Sequence, residues 1–259
     1  MVNIVTLVKQ SPDVEAVRID AKTGAPDLSG AGMKVSDYDK NAVEAAVQLK
    51  EKNAGTKVMA LSLGGAKLPE SVKEVLAMGC DEATMLIDPA FAQADTAEKA
   101  RLLAAAVKKL GNVDLVIAAE ESLDSHSAQT GPRVAEELGW PLVSYVSDNL
   151  RLEGTTLKCE REVDEGLEEI EVALPCVITV TESLNTPRLP ALMQILQAKN
   201  KPQKTLTLAD LAAGEVRPVL TRPSSAAPKS ERKQQVLGGT PEEAAAELAK
   251  ILSKEGVIG

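Results

Sequence analysis

The feature that most constrains this chain is a repeated alternation, over its first two thirds, of short apolar runs with amphipathic stretches. Val2-Asn-Ile-Val-Thr-Leu-Val8 reads as a buried strand, and Ala42 to Lys52 as a helix with Ala42, Val43, Ala46, Val47 and Leu49 on its inner side. Val58 to Leu63 is the next strand and Leu68 to Met78 the next helix. Glu82 to Ile87 and Val113 to Ala118 continue the strands around a helix from Asp95 to Leu110; Ser127 to Leu138 then reads as a helix and Leu142 to Val146 as a short strand. Strands separated by helices require right-handed crossovers and a sheet covered on both faces. The expectation is an α/β fold with a parallel-sheet, Rossmann-like nucleotide-binding core, and ligands beyond the carboxyl ends of the strands.

After Val146 the pattern changes. An antiparallel excursion occupies residues 149–174, in which Leu157, Cys159, Arg161 and Val163 alternate with Lys158, Glu160 and Glu162. The period of two puts Arg161 on a face with three apolar side chains, so it needs a partner. Two readings are open: a charge that guards an edge strand, or a guanidinium held near an anion, a flavin or a partner's carboxylate. Val177 to Val180 returns to a buried strand, and Pro187 biases Thr186 toward extended backbone, which makes Asn185 to Arg188 an element boundary. Pro190 to Ala198 is a short helix carrying Leu192, Met193, Ile195 and Leu196. From Val216 to Gly239 the chain is rich in Pro, Ser, Lys and Arg, with little to bury, and reads as an extended arm. Thr240-Pro241-Glu242-Glu243 opens a last helix with an N-cap threonine, proline at N1 and glutamate at N3. The division expected is a core of 1–200 and a C-terminal arm, 201–259, with a helix that must dock on its own domain or on a partner.

Composition narrows the function classes. A net charge of −9 and only four aromatic side chains, Tyr38, Phe91, Trp140 and Tyr145, argue against nucleic-acid binding. Cys80, Cys159 and Cys176 show no CxxC spacing, and a lone His126 disfavours a histidine metal site or a catalytic triad. No apolar run approaches ~20 residues, and Met1-Val-Asn-Ile-Val5 lacks a basic secretory start, so a cytoplasmic protein without stable membrane insertion is expected.

The candidate binding residues lie where strands hand over to helices. Lys9-Gln-Ser-Pro12 follows the first strand without GxGxxG or a Walker motif. Ser36-Asp37-Tyr38-Asp39 offers an N-cap and an acidic first turn, and Asp95-Thr96 another; both serve capping, and both could face a nucleotide. Asp124-Ser-His-Ser-Ala-Gln-Thr-Gly-Pro132 is the richest polar cluster, suited to phosphate or ribose. No nucleophile, carboxylate pair or metal cluster accompanies these residues, so the chain reads as a cofactor binder with no catalytic residue of its own.

Taken together, Leu7-Val-Lys9, Ala42-Val-Glu44, Leu49-Lys-Glu51, Ala77-Met-Gly79, Gln129-Thr-Gly131, Arg161 with Gly166, Leu174-Pro175, Asn185-x-Pro-Arg188 and Ala198-Lys199 resemble the beta (small) subunit of electron transfer flavoproteins. The resemblance covers nearly the whole chain. It implies an obligate, FAD-bearing alpha subunit and a recognition loop, 187–198, that docks flavin dehydrogenases through Leu192. It also implies an adenine nucleotide held by Val8, Lys9, Ser36, Asp37, Tyr38, Asp39, Leu63, Asp95, Thr96, Asp124, Ser127, Gln129, Thr130, Gly131 and Pro132, with Arg161 and Glu162 nearer the partner's flavin. Family members carry either AMP or a second FAD in this subunit. Phe91-Ala-Gln-Ala-Asp-Thr96 and Asp124 to Pro132 are similar to the FAD-type, electron-bifurcating group, whereas Thr130 matches the AMP type. FAD is the expectation and AMP the alternative; NADH-dependent bifurcation would arise only with the alpha subunit. The competing reading is a stand-alone nucleotide-binding or sensor module of related fold without a redox role.

Overall fold

The computed structural model describes residues 1–220, 224–228 and 234–258, so parts of the expected 216–239 arm (221–223 and 229–233) lie outside the described residues. After β1 (Asn3–Val8) come four short strands, β2 (Gln10–Pro12), β3 (Arg18–Ile19), β4 (Pro26–Asp27) and β5 (Met33–Val35), paired β2 with β5 and β3 with β4. Then α1 (Asp37–Lys52), β6 (Lys57–Gly64), α2 (Leu68–Met78), β7 (Glu82–Ile87), α3 (Thr96–Leu110), β8 (Leu115–Ala119) and α4 (Thr130–Leu138) alternate as the apolar pattern requires. The excursion follows as β9 (Leu142–Glu153), β10 (Thr156–Val163) and β11 (Gly166–Ala173), and the chain returns through β12 (Cys176–Val180). It ends with α5 (Leu192–Ala198), β13 (Gln203–Leu206), α6 (Leu208–Leu211) and α7 (Pro241–Lys254).

Nine strands form one sheet in the order β11-β10-β9-β12-β8-β1-β6-β7-β13. From β9 to β13 neighbouring strands are parallel, and β10 and β11 are antiparallel additions at one end. The strand period of two divides the core. Ile4 and Val8 of β1 pack with Ala42, Val43 and Val47 of α1 and Val72 and Leu76 of α2, whereas Val5 and Leu7 pack on the opposite face with Leu102, Leu103 and Ala106 of α3 and Val134 of α4. Burial on both faces is why these strands read as nearly continuous apolar runs. The chain leaves β1 toward β6 and β7 with helices on one face, then returns past β1 to β8 with α3 on the other. The strand order therefore reverses between β1 and β8, which opens a crevice at their carboxyl ends, beyond Val8 and Ala119.

Three expectations are corrected. The helix expected from Ser127 begins at Thr130, because His126 and Ala128 have φ of 45° and 50°, which a right-handed helix cannot include. The short strand Leu142–Val146 and the start of the excursion are one continuous strand of 12 residues. Left-handed Tyr145 (φ 60°) and Asn149 (φ 53°), with register shifts against β12 and β10, break the alternation that would have revealed it. The helix expected from Pro190 begins at Leu192. Strand β13 was not foreseen: it has four residues with three side chains exposed, an edge strand too short and polar to show a pattern.

The Asn185-x-Pro-Arg188 boundary is tied to α1. Asn41 Nδ2 donates to Asn185 O (2.8 Å) and Asn185 Nδ2 donates to Asn41 O (3.0 Å). Arg188 Nε donates to Glu44 Oε2 (2.7 Å), Nη2 to Glu44 Oε1 (3.0 Å) and to Glu51 Oε2 (3.0 Å), and Nη1 to Glu51 Oε1 (2.6 Å). Glu44 and Glu51 are two turns apart on one helix face, the spacing that lets a single guanidinium fork reach both.

Candidate functional site

The switch-point crevice gathers residues from three separate segments. Lys9 follows β1, and its Nζ donates to Asp124 Oδ1 (2.6 Å) and Ser122 Oγ (3.1 Å) in the loop after β8. Ser122 Oγ in turn donates to Asp124 Oδ1 (2.8 Å) and lies 2.9 Å from Ser125 Oγ. From the start of α1, Asp39 Oδ2 accepts the Lys9 backbone N–H (2.6 Å), and the buried Ser36 Oγ accepts the Leu123 N–H (3.3 Å). Ser36 thus occupies the N-cap position without capping through its side chain, which instead ties the helix start to the loop after β8. Burial raises the Asp124 pKa, but the hydrogen bonds from Lys9 and Ser122 outweigh it and hold the carboxyl below its usual range. Asp39 is the reverse case: burial dominates and pushes it up to about 7, against the opposing bond and charge of Lys9.

Beside this cluster, the Tyr38 ring meets His126 edge to face (centroids 6.1 Å apart, 82° between planes), and His126 Nδ1 is 2.6 Å from Glu121 Oε1. The Glu121 hydrogen bond raises the His126 pKa. A cavity of ≈ 300 Å³ opens here, lined by Asp37, Tyr38, Lys40, Asn41, Leu123, Glu182 and Pro187. It runs from Leu123, the residue before Asp124, to Pro187 at the start of the expected docking loop. Its margin is acidic: burial and the carboxylates of Glu121, Glu182 and Glu162 push the pKa of Glu120, just after β8, upward.

The structure brings together Lys9, Ser36, Asp39 and Asp124, with Val8 ending the strand beneath them and Tyr38 alongside. Asp37 belongs to the cavity lining and pairs with Lys34 (3.0 Å) and Lys40 (3.1 Å). Ser127 and Gln129 are exposed on the loop, Gln129 accepting from Arg133 Nε (3.1 Å), and Thr130 and Pro132 lie in the first turn of α4. Gly131 is buried where that turn crosses β12; a Cβ there would sit 2.4 Å from Thr179 Cγ2, so the close approach requires glycine. Leu63 is the penultimate residue of β6, part-buried against the core.

Two groups have other partners. Asp95 caps α3, its Oδ1 accepting the Glu98 N–H (2.9 Å), while its Oδ2 accepts the N–H groups of Val219 (2.8 Å) and Leu220 (2.9 Å) from the C-terminal arm, with Thr96 next in the helix. Arg161 donates through Nε to Glu168 Oε2 (2.8 Å), its register partner on β11. The partner that an arginine on that face requires is therefore supplied by the adjacent strand. Glu162 is exposed and contributes to the acidic margin near Glu120. Leu192 is 72% exposed, and Leu189, Met193, Ile195 and Leu196 are exposed beside it. Sequence reasoning missed Ser122, the hydroxyl that bridges Lys9 and Asp124, and the pairing of Glu44 and Glu51 with Arg188.

A model of the electron transfer flavoprotein domain matches residues 27–211. The electron transfer flavoprotein subunit beta of Thermoanaerobacterium thermosaccharolyticum is 37% identical over 265 residues, spanning 99% of this chain and 100% of the relative. This chain belongs to the electron transfer flavoprotein beta-subunit family. A second relative, the caffeyl-CoA reductase-Etf complex subunit CarD of Acetobacterium woodii, is 35% identical over 261 residues, covering 98% of this chain and 99% of its own length. Among the described residues no group of three or more His, Cys, Asp or Glu side chains is placed to hold a metal ion. Among those residues no helix is long and apolar enough to cross a membrane.

Proposed function

We propose that this chain is the beta subunit of a heterodimeric electron transfer flavoprotein, holding an adenine nucleotide at the β1/β8 crevice and passing electrons between flavin- or NADH-linked dehydrogenases and an acceptor. The observation that carries the reading is the convergence of Lys9, Ser36, Ser122 and Asp124 at the point where strand order reverses. Lys9 would neutralise phosphate, trading part of its bond to Asp124 for the ligand; the hydroxyls of Ser122, Ser125 and Thr130 and the α4 N-terminus would complete the oxygen contacts. The ≈ 300 Å³ cavity beside Tyr38 gives room for ring groups next to that phosphate site. FAD is the nucleotide proposed over AMP, on the likeness of Phe91–Thr96 and Asp124–Pro132 to the FAD-type segments. A bound flavin supplies the electron chemistry, while the chain's residues position it and exclude water.

Two further surfaces support the subunit reading over a stand-alone module. No residue of α7 is buried although it carries Leu248, Ile251 and Leu252, and α5 exposes four of its large apolar side chains. Both suit partners, α7 the FAD-bearing alpha subunit and the 187–198 loop a flavin dehydrogenase. The test is to co-express the chain with an electron transfer flavoprotein alpha subunit, then identify and quantify nucleotide released on denaturation. Two FAD per heterodimer is the expected result; one FAD with one AMP would replace the FAD assignment, and no nucleotide in this subunit would overturn the reading. Lys9→Met should lower nucleotide occupancy by at least about tenfold, the scale of a lost charge-assisted phosphate contact.

A further inference from the structure

The segment from Leu189 to Leu196 presents an unusual arrangement. Leu189 is 94% exposed, and Leu192, Met193, Ile195 and Leu196 are between 48% and 72% exposed. Apolar side chains so placed gain by folding back onto a protein's own surface, so something must hold them out. Both ends of the segment are fixed by polar anchors. At the front, Arg188 is committed to two carboxylates of α1 through four side-chain hydrogen bonds of 2.6–3.0 Å, and its backbone N–H donates to Glu44 Oε2 (3.2 Å). Glu44 is 4% exposed, so swinging Arg188 away would leave a buried charge uncompensated. At the rear, Ala198 is buried, and Lys201 Nζ donates to the Leu76 and Cys80 carbonyls at the end of α2, both at 2.7 Å.

We propose that Arg188, with Glu44 and Glu51, forms a positioning clamp that holds the apolar 189–196 segment outward in the register its dehydrogenase partner meets, with Lys201 as the rear anchor. The clamp rests on the docking role given above to the 187–198 loop, and it goes further in naming what fixes the loop's orientation. Rigidity of this kind lowers the ordering cost of association, so its loss weakens docking without touching the flavin sites. Arginine is required: a lysine ammonium cannot engage two carboxylates through paired planar bonds.

The experiment uses the intact heterodimer in wild-type, Arg188→Lys, Arg188→Gln and Glu51→Gln forms, the last retaining the buried Glu44 pair so that folding is preserved. Amide hydrogen exchange over residues 189–198 is measured without any partner. Electron transfer is then followed to a flavin dehydrogenase that the wild-type heterodimer serves, and to a small redox dye that needs no docking. Exchange in the segment and the KM for the dehydrogenase should each rise by about tenfold or more in Arg188→Gln, and less in Glu51→Gln, with kcat and the dye rate unchanged. Unchanged exchange and KM overturn the clamp, and so does a parallel fall of the dye and dehydrogenase rates, which would mark a general structural contact. If Arg188→Gln fails to assemble, Glu51→Gln decides by the same criteria. If Leu192→Ala leaves the dehydrogenase KM unchanged, the docking reading fails, while the exchange data still judge whether Arg188 fixes the segment.

Discussion

The packing of α4 against β12 gives a sharp quantitative test. A Cβ on Gly131 would lie 2.4 Å from Thr179 Cγ2 and 3.6 Å from Ala118 Cβ. The first of these must be relieved. Thr179 is buried and β-branched, and its Oγ1 accepts the Tyr145 N–H (3.1 Å), so rotating the methyl away sacrifices that bond. Overpacking of this sort costs about 1–3 kcal/mol, and replacing glycine in a helix returns at most about 1 kcal/mol. Gly131→Ala should therefore be destabilised by about 1–2 kcal/mol, lowering the Tm of the intact complex by roughly 2–8 °C. Thr179→Ser removes only the clashing methyl and keeps the hydroxyl; alone it should cost about 1 kcal/mol as a buried methyl deletion. In the double variant the two changes should compensate, with a coupling energy of about 1–2 kcal/mol in thermal or urea denaturation. Strict additivity, or a Gly131→Ala protein as stable as wild type, would refute the close-approach argument. Because Gly131 lies in the first turn of the helix that follows the Asp124 loop, nucleotide retention should fall in the single glycine variant and recover in the double.

The remaining predictions concern charge. Asp39 has a folded pKa of about 7 against an unfolded value near 3.8, so its stabilising contribution is fully present below about pH 4 and is lost as pH rises through 7. Asp39→Asn, which keeps an acceptor for the Lys9 N–H, should gain stability relative to wild type between pH 5 and 8, by up to on the order of 4 kcal/mol, and parallel pH profiles of the two proteins would contradict this. Asp95→Ala removes the α3 cap and both acceptor contacts to the arm; it should cost about 1 kcal/mol in denaturation and speed tryptic cleavage at Arg217, and an unaltered digestion rate would show that the arm is held elsewhere.

How much of this was legible in the residues depends on the range over which each feature is specified. Buried parallel strands such as β1, β6 and β7 show themselves because both faces demand apolar side chains, and α2 because its inner face recurs at helical spacing. Lys9, Ser36 and Asp124 were legible as candidates because each follows or precedes a strand end, where α/β ligands gather. Ser122 was hidden because a serine in a loop carries no pattern. Nor could a reading by periodicity join Arg188 to Glu44, 144 residues away, when acidic residues are common on exposed helix faces. Arg161 shows the intermediate case: the turn at Asp164-Glu165-Gly166 brings Glu168 opposite it, but the register became definite only with the strand pairing. The loop before α4 was misjudged because Ala128, a residue type that seldom adopts left-handed backbone, follows the left-handed His126 and gives no sign of the break.

Strand β9 has a mechanical consequence. Its first part lies parallel beside β12 and its second part forms the stem of the β10–β11 hairpin, with no loop between them. A conventional appendage is joined by a hinge that isolates its motions from the body; here the appendage and one margin of the sheet are the same piece of backbone. A tilt imposed on the hairpin tip is carried along β9 to Val146, which pairs with Val180, itself level with Ala119 at the rim of the crevice. The left-handed residues Tyr145 and Asn149 are the joints along this beam, so a protein that grips the hairpin also takes hold of the wall of the β1/β8 crevice.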